Sequence, residues 1–316
     1  MTMTRRSGDR SVAPGSGWAP ASARVRSERR LAALLCAPAV LVILAVTGYP
    51  IGYAISLSLQ RFDLRFPDQR GFVGLANYGA VLSSDYWWRA CTVTVVIMVI
   101  SVTIEFVVGL ALALAMYRTV VGRGLVRTVV LIPYGMVTVV ASYGWQFAWT
   151  PGTGYLAALL PEGVAPLTDQ VAAIALIILA EVWKTTPFMA LLLLAGLALV
   201  PEDLLKAAAM DGAGPWKRLT RVILPMMKPA ILVALLFRIL DAFRIFDSIY
   251  ILTRGSNGTE PVSMLGYDNL FVGFNLGIGS AISVLIFIVV AIFASVFVTL
   301  FGVAAPGAEA EGRRKR

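Results

Sequence analysis

Six long apolar stretches, separated by shorter polar connections, dominate the hydrophobic pattern of this chain. A transmembrane helix needs about 20 apolar residues to cross the hydrocarbon core, and each stretch is long enough. Because that core offers no water, backbone groups must bond within the segment, which predicts helices. The pattern therefore predicts an all-α membrane protein with six transmembrane helices, over residues 31–57, 89–117, 125–149, 170–200, 229–252 and 276–303.

The longest polar interruption between these stretches, residues 201–229, is predicted to fold on its own. Its sequence predicts a short helix from about Glu202, a break at residues 211–213, and a second short helix that ends at Pro225. Gly212 can adopt the left-handed conformation that ends a helix. A helix-turn-helix between two spans is typical of a docking site for a partner protein. The alternative is an amphipathic helix on the membrane surface, where basic residues meet anionic lipid.

Composition and charge bound the class and the orientation of the chain. It is 58% hydrophobic and 14% charged, which excludes an ordinary soluble domain. The net charge of +9 does not indicate a nucleic-acid partner, because the basic residues lie in alternate connections and in both tails. By the positive-inside rule, both termini and the 201–229 segment lie in the cytosol.

Residues 1–30 are predicted to be a disordered basic tail, and residues 304–316 a second basic cytosolic tail. A signal peptide is the alternative at the N-terminus, but the length of the first apolar run favours a retained span.

The residues needed for several kinds of chemistry are missing. The sequence contains no histidine and no Gly-x-x-x-x-Gly-Lys-Ser/Thr loop. It therefore predicts no ATP-hydrolysing site and no metal site on this chain. Energy for active transport must come from another chain or from an ion gradient. An intramembrane aspartyl or glutamyl enzyme stays formally open, since acidic residues lie within the spans.

Residues 201–229 resemble the EAA loop of binding-protein-dependent ABC importer permeases, and we call them the coupling loop. The family pattern is Glu-Ala-Ala-x-x-Asp-Gly-Ala, followed further on by Leu-Pro. One position departs, because Lys206 stands where the family has glutamate. Trp216 adds an apolar anchor. The residues assigned to ATPase coupling are Lys206, Ala207, Ala208, Asp211, Gly212, Ala213, Trp216, Leu224 and Pro225.

The resemblance covers residues 30–303 and implies a fold, partners and a mechanism. The fold would be that of a type I ABC importer permease over residues 31–303, surrounded by lipid of the bacterial inner membrane. The partners would be a second permease subunit, two ATPase subunits or domains, and an extracytoplasmic sugar-binding protein or lipoprotein. ATP and Mg would bind to the ATPases, and this chain would carry no cofactor. ATP binding would drive alternating access.

The segments on either side of the coupling loop resemble the carbohydrate-uptake branch of this family. Residues 181–188 look like the span that precedes the loop in sugar importers, and residues 246–255 like the segment that follows it. Within that branch the chain looks most like the trehalose importers. The resemblance therefore implies a disaccharide as substrate.

Polar and aromatic residues inside the predicted spans are candidates for the substrate path. A sugar has apolar C–H faces and a rim of hydroxyls, so aromatic rings beside hydrogen-bonding side chains suit it. Residues three apart are neighbours on a helix, so Glu181 and Lys184 can pair. The charges of the fifth span alternate in sign at the same spacing, so each has a neutralising neighbour: Arg238, Asp241, Arg244 and Asp247. The candidate path residues are Lys184, Asp241, Arg244, Trp183, Phe243, Tyr250, Trp145 and Gln146.

Alternatives to the importer interpretation remain. An ion-coupled secondary transporter would use the buried acidic residues as proton sites and would need no ATPase. Such transporters often contain internal repeats, and no convincing repeat relates the two halves of this chain. At the level of residues, purely structural pairing is the alternative for Arg238 and Asp247. Aromatic residues near a span end can belong to an interfacial belt instead of a ligand site.

Overall fold

The computed structural model describes residues 21–118, 122–161 and 163–301, which are mostly helical. The helices are α1 (Ala21–Ile43), α2 (Tyr49–Ser58), α3 (Ala76–Leu82), α4 (Asp85–Arg118), α5 (Arg123–Gly135), α6 (Thr138–Ala148), α7 (Gln170–Leu197), α8 (Glu202–Met210), α9 (Pro215–Arg218), α10 (Leu224–Ala242), α11 (Asp247–Leu252), α12 (Val262–Tyr267) and α13 (Leu276–Phe301). Between them lie π-helical turns at Leu44–Gly48, Leu219–Ile223 and Asp268–Val272, and 3-10 turns at Pro67–Gln69, Ala157–Leu159, Pro166–Thr168 and Ser256–Gly258. A small antiparallel hairpin pairs β1 (Gln60–Arg61) with β2 (Gly71–Phe72).

The chain divides after Tyr53 into two units. In the first unit α1 continues through a π-helical turn into α2, and from Leu31 onward its side chains are almost all exposed. Residues 21–30, predicted as part of the disordered tail, begin α1 instead, because this run has no glycine or proline and contains good helix formers such as alanine and arginine. Residues 1–20 and 302–316, and with them the predicted 304–316 tail, lie outside the described residues.

The described residues support the predicted six-span architecture. The helices long and apolar enough to cross a membrane are Leu31–Ser58, Asp85–Arg118, Gln170–Leu197, Pro215–Ala242 and Leu276–Phe301. A sixth span results if the bent pair Gly124–Gly135 and Thr138–Ala148 counts as one.

The prediction of one uninterrupted helix over residues 125–149 was wrong. The two helices of this stretch meet at an angle of 84°. Met136 and Val137 have extended backbone conformations, with ψ of 142° and 129°. Pro133 lies just before the break. Because proline disturbs the helical hydrogen bonds of the preceding turn and glycine adds freedom at position 135, the chain leaves the helix here.

The predicted bounds of the fifth span, 229–252, and of the helix ending at Pro225 were also wrong. One long helix runs from Pro215 to Ala242 and includes Pro225. The π-helical turn over residues 219–223 ends two residues before this proline, and such a turn accommodates the missing N–H and the bulk of the ring. The helix then breaks over residues 243–246. There the Ser263 hydroxyl donates to the Ile245 carbonyl at 2.5 Å, which satisfies a backbone oxygen that the break leaves free.

The main core of the second unit lies where α4, α7 and α10 pack together. A Cβ built on Gly196 of α7 would lie 2.4 Å from the Cβ of Ala230 on α10, so glycine permits this approach. Close packing at small residues is a main source of helix association in membranes, where lipid is as apolar as the core. The buried side chains of this core include Met98, Val102, Ala113, Met189, Leu193, Leu197, Met227 and Ala234.

We expect Gly196→Ala to lower the free energy of unfolding by about 1–3 kcal/mol, because the new methyl group overpacks the contact between α7 and α10. Unfolding of the purified protein in detergent measures the effect. Ala230→Gly on the same chain should restore most of the loss. Gly144→Ala is the matched control, since a Cβ at this helical glycine would meet nothing within 4 Å. Equal stability of the Gly196→Ala and Gly144→Ala proteins would contradict the close-contact account.

Candidate functional site

The coupling loop contains two helices joined by a tight turn. After α8, the Ala213 N–H donates to the Ala208 carbonyl at 2.9 Å, and the Gly212 N–H to the Ala209 carbonyl at 3.1 Å. Gly212 has a φ of 74°, in the left-handed region that glycine adopts without steric cost. This is a Schellman-type end of a helix. The helix from Glu202 and the left-handed Gly212 predicted from the sequence are thus present in the structure.

Large apolar side chains of the coupling loop are exposed. Met210 is 89% exposed and Trp216 is 73% exposed. Exposed apolar side chains grouped on a polar segment are typical of a protein–protein docking surface. Leu224 and Pro225 lie in the first turn of α10. The other residues assigned to the loop are exposed or half-buried: Lys206, Ala207, Ala208, Asp211 and Ala213.

The charge of Lys206 is balanced within α8. Its ammonium nitrogen lies 3.6 Å from a carboxylate oxygen of Asp203 and 3.8 Å from one of Glu202. All three side chains are largely exposed, so solvent screens the pairs and they contribute little to stability. The lysine at the position of the motif glutamate therefore leaves the local fold of the loop intact.

A polar cavity of about 580 Å³ lies at the two helix breaks of the second unit. The α5–α6 break forms one wall and the α10–α11 break another, with α7 beside them. Irregular backbone at membrane depth is tolerated where it lines such a cavity. The lining residues are Tyr134, Met136, Val137, Thr138, Glu181, Lys184, Thr185, Asp241, Arg244, Ile245, Phe246, Asp247 and Ser248.

A buried cluster of charged side chains, centred on Arg238, adjoins this cavity. Arg238 is 1% exposed, and its guanidinium donates to both carboxylate oxygens of Glu105, which is 0% exposed. It also donates to Asp241 at 2.5 Å and to Glu181 at 3.5 Å. The Ser248 hydroxyl donates to the other oxygen of Glu181. The cluster joins α4, α7, α10 and α11, and three of its members line the cavity.

The structure brings three of the predicted path residues into the cavity wall: Lys184, Asp241 and Arg244. Asp241 has an oppositely charged neighbour on each side along the chain, and it pairs with Arg238 and not with Arg244. The predicted pair of Glu181 and Lys184 was wrong. Lys184 does not pair with Glu181, since its ammonium donates to the Met136 carbonyl at 3.0 Å, a group that the helix break leaves free.

The other predicted path residues lie outside the cavity wall. Trp145 and Trp183 make an edge-to-face contact with ring centroids 5.9 Å apart. The Gln146 amide donates to the Ile251 carbonyl at 2.6 Å. Phe243 packs against the buried core. Tyr250 stacks on Phe246, with centroids 5.2 Å apart. These five side chains shape the surroundings of the cavity.

Sequence reasoning missed several members of the site. Tyr134, Met136 and Thr138 enter the cavity because the third stretch is bent, and the Pro-Tyr-Gly sequence at residues 133–135 is the signal that could have predicted the bend. Ser248 carries no comparable signal, because serine is frequent at helix contacts in membranes.

Comparison with known proteins decides the family of this chain. Residues 105–304 match the family model described as "Binding-protein-dependent transport system inner membrane component". The chain belongs to this family. As a binding-protein-dependent permease it is a transport subunit of the inner membrane.

Similar proteins extend the match over most of the chain. The "Trehalose transport system permease protein SugA" of Mycobacterium tuberculosis (strain ATCC 25618 / H37Rv) is 67% identical over 91% of this chain and 94% of the relative. The "Trehalose/maltose transport system permease protein MalF" of Thermococcus litoralis is 40% identical over 85% of this chain and 93% of the relative. A solved structure shows a bacterial alginate ABC transporter in complex with alginate pentasaccharide-bound periplasmic protein. The match covers 88% of this chain and 95% of the solved chain, with a TM-score of 0.72 at 22% identity. The predicted permease fold is confirmed.

Proposed function

We propose that this chain is one of two permease subunits of an ATP-driven sugar importer, and that it carries trehalose or a closely similar disaccharide into the cytosol. The names of the two curated relatives support this class of substrate. The observation that carries the proposal is the polar cavity at the helix breaks. Its volume of about 580 Å³ is within the range of about 300–1,000 Å³ that small-molecule sites occupy.

The lining of the cavity suits an uncharged polyol. Carboxylates of Asp241 and Asp247 accept hydrogen bonds from hydroxyl groups, and the Lys184 ammonium and Arg244 guanidinium donate them. Because both signs of charge are present, the wall has no strong preference for an anion or a cation. The aromatic rings of Tyr134 and Phe246 offer apolar surface for C–H faces.

In this proposal the coupling loop docks on a cytosolic ATPase, with Met210 and Trp216 as apolar anchors. ATP and Mg bind to that partner, and both termini of this chain lie in the cytosol with the loop. Closure of the ATPases moves the loop, and the cavity opens alternately to the two sides of the membrane. An extracytoplasmic binding protein delivers the sugar. The alginate transporter supports this step, because its solved complex includes a periplasmic protein that holds an alginate pentasaccharide.

The second permease subunit is proposed to be a different chain. Lys206 replaces the glutamate of the family motif, so this loop presents a cation where the family presents an anion. If the partner permease keeps the glutamate, one of the two coupling loops in the complex still presents the anion that is usual in the family. The ion-coupled alternative is less well supported, because the buried carboxylates that it needs as free proton sites are engaged by Arg238 and Ser248.

Arg244 offers the clearest test of the substrate cavity. Among the described residues its guanidinium has no hydrogen-bond or ion-pair partner, so its removal should not affect folding. In the complex purified from its own membranes, we expect Arg244→Gln to lower the uptake of labelled trehalose by about tenfold. A loss of this size corresponds to the free energy of one hydrogen bond between a charged group and a hydroxyl. The exposed Arg127→Gln, outside the cavity, is the control. Normal uptake by Arg244→Gln would remove this residue from the substrate path.

A further inference from the structure

We propose that Arg238 is the positioning residue through which movement of the coupling loop reaches the substrate cavity. This inference rests on the proposed function and assigns a role to a residue that does not itself line the cavity. Arg238 would act by holding two carboxylates that do line it, that of Glu181 on α7 and that of Asp241 on α10, at fixed positions relative to each other.

The first support is the continuity of the helix that carries Arg238. Pro215–Ala242 is one helix of 28 residues, and it begins within the coupling loop. At 1.5 Å per residue, Trp216 and Arg238 lie about 33 Å apart along its axis. A displacement of the loop is therefore carried along the backbone of a single helix to the level of the cavity.

The second support is the way in which Arg238 fastens this helix to its neighbours. The guanidinium binds Glu105 on α4 and Glu181 on α7 while it also binds Asp241 on its own helix. Arginine holds five donors in one plane, so each carboxylate is fixed in direction as well as in distance. A shift of α10 must therefore move these carboxylates or exchange their hydrogen bonds.

The third support is the unequal burial of the three carboxylates. The Glu105 side chain is 0% exposed and that of Glu181 10%, whereas that of Asp241 is 72% exposed. Arg238 thus links a fully buried anchor to a carboxylate that faces the cavity. Removal of the guanidinium should leave the wall of the cavity in place but break the link between Asp241 on α10 and the carboxylates of α4 and α7.

The test follows the cavity and the ATPase separately in the whole complex. In a background with Cys36→Ala and Cys91→Ala, Thr138→Cys places a reporter thiol in the cavity wall. Its rate of reaction with a small maleimide is measured without nucleotide and with ATP, Mg and vanadate. We expect the rate to change by about tenfold in this parent, within the range typical of coupled conformational equilibria.

The Arg238→Met/Glu105→Gln double variant removes the fully buried pair, so Glu105 is not left as a lone charge. Glu181 keeps the hydrogen bond from Ser248. We expect it to hydrolyse ATP but to lose the nucleotide-dependent change at Thr138→Cys, whereas Arg238→Lys, which keeps the cation, retains most of it. The matched control is Arg65→Met/Asp63→Asn, which removes an arginine–carboxylate pair in an exposed loop and should behave like the parent.

A double variant that responds to ATP like the parent overturns the inference. A parent that does not respond contradicts the proposed alternating access, and the inference falls with it. Should the double variant fail to assemble, Asp241→Asn takes its place, because it leaves the Arg238–Glu105 pair intact. It should reduce the response, and an unchanged response again overturns the inference.

Discussion

Replacing Arg238 with alanine is expected to destabilise the protein more than any other single substitution considered for this chain. The substitution leaves the Glu105 carboxylate fully buried without its guanidinium partner. Removing one partner of a buried ion pair typically costs about 3–5 kcal/mol, because the remaining charge has lost both water and its counterion. The measurement is unfolding of the purified protein in detergent, together with the folded yield from membranes.

The double replacement Arg238→Met/Glu105→Gln separates the cost of an unpaired charge from the net contribution of the pair. Replacing both members of a buried pair is often near neutral. We therefore expect the double variant to regain most of the stability that Arg238→Ala loses. A double variant as unstable as the single one would mean that the geometry of the cluster, and not the lone carboxylate, causes the loss.

Gly212→Val is expected to abolish most transport while leaving the membrane-spanning helices folded. Nothing lies within 4 Å of a Cβ at this position, so the effect is conformational and not steric crowding by neighbours. A left-handed backbone costs an L-residue about 1–2 kcal/mol, and more for a β-branched one, so the turn between α8 and α9 should shift. Uptake and sugar-stimulated ATP hydrolysis should both fall by about tenfold, because the loop no longer presents its docking surface in one conformation.

Gly214→Val is the matched control for this prediction. Gly214 lies two residues further on, also has open space around it, and has a φ of −65°, which valine adopts readily. Its effect on uptake should be much smaller than that of Gly212→Val. Equal losses from the two substitutions would argue that the loop tolerates no larger residue anywhere, and that the left-handed turn is not the cause.

The fold of the coupling loop could be predicted from the sequence because its signals are local. A glycine in the turn sets the end of α8, and Pro215 starts the next helix, as expected for a proline in the first turn. The end of that second helix could not be predicted in the same way. Pro225 is a helix breaker by propensity, but the π-helical turn before it accommodates the proline ring and its missing N–H, so the helix continues.

The cavity could be predicted only in part. Lys184, Asp241 and Arg244 can be predicted, because charged residues within a span usually face a polar interior. Their partners depend on which helices are adjacent, and hydrophobic periodicity does not contain that information. Glu105 and Arg238 are separated by 133 positions in the sequence, so the cluster exists only after α4 and α10 have packed. Hydrophobicity does not reveal the helix breaks that form the cavity, because an apolar run looks the same whether it is straight or bent. The break between α5 and α6 has a local signal in the Pro-Tyr-Gly sequence at residues 133–135.

The most direct test of the account is the energy source of sugar uptake. The chain is purified from its own membranes with the proteins that accompany it, which mass spectrometry identifies, and the complex is reconstituted into vesicles with labelled trehalose and the binding protein outside. We predict two different permease chains and an ATPase in the complex. Uptake should require ATP and Mg inside the vesicles and should persist when ionophores collapse all ion gradients. Uptake without ATP that a proton or sodium gradient drives would contradict this prediction.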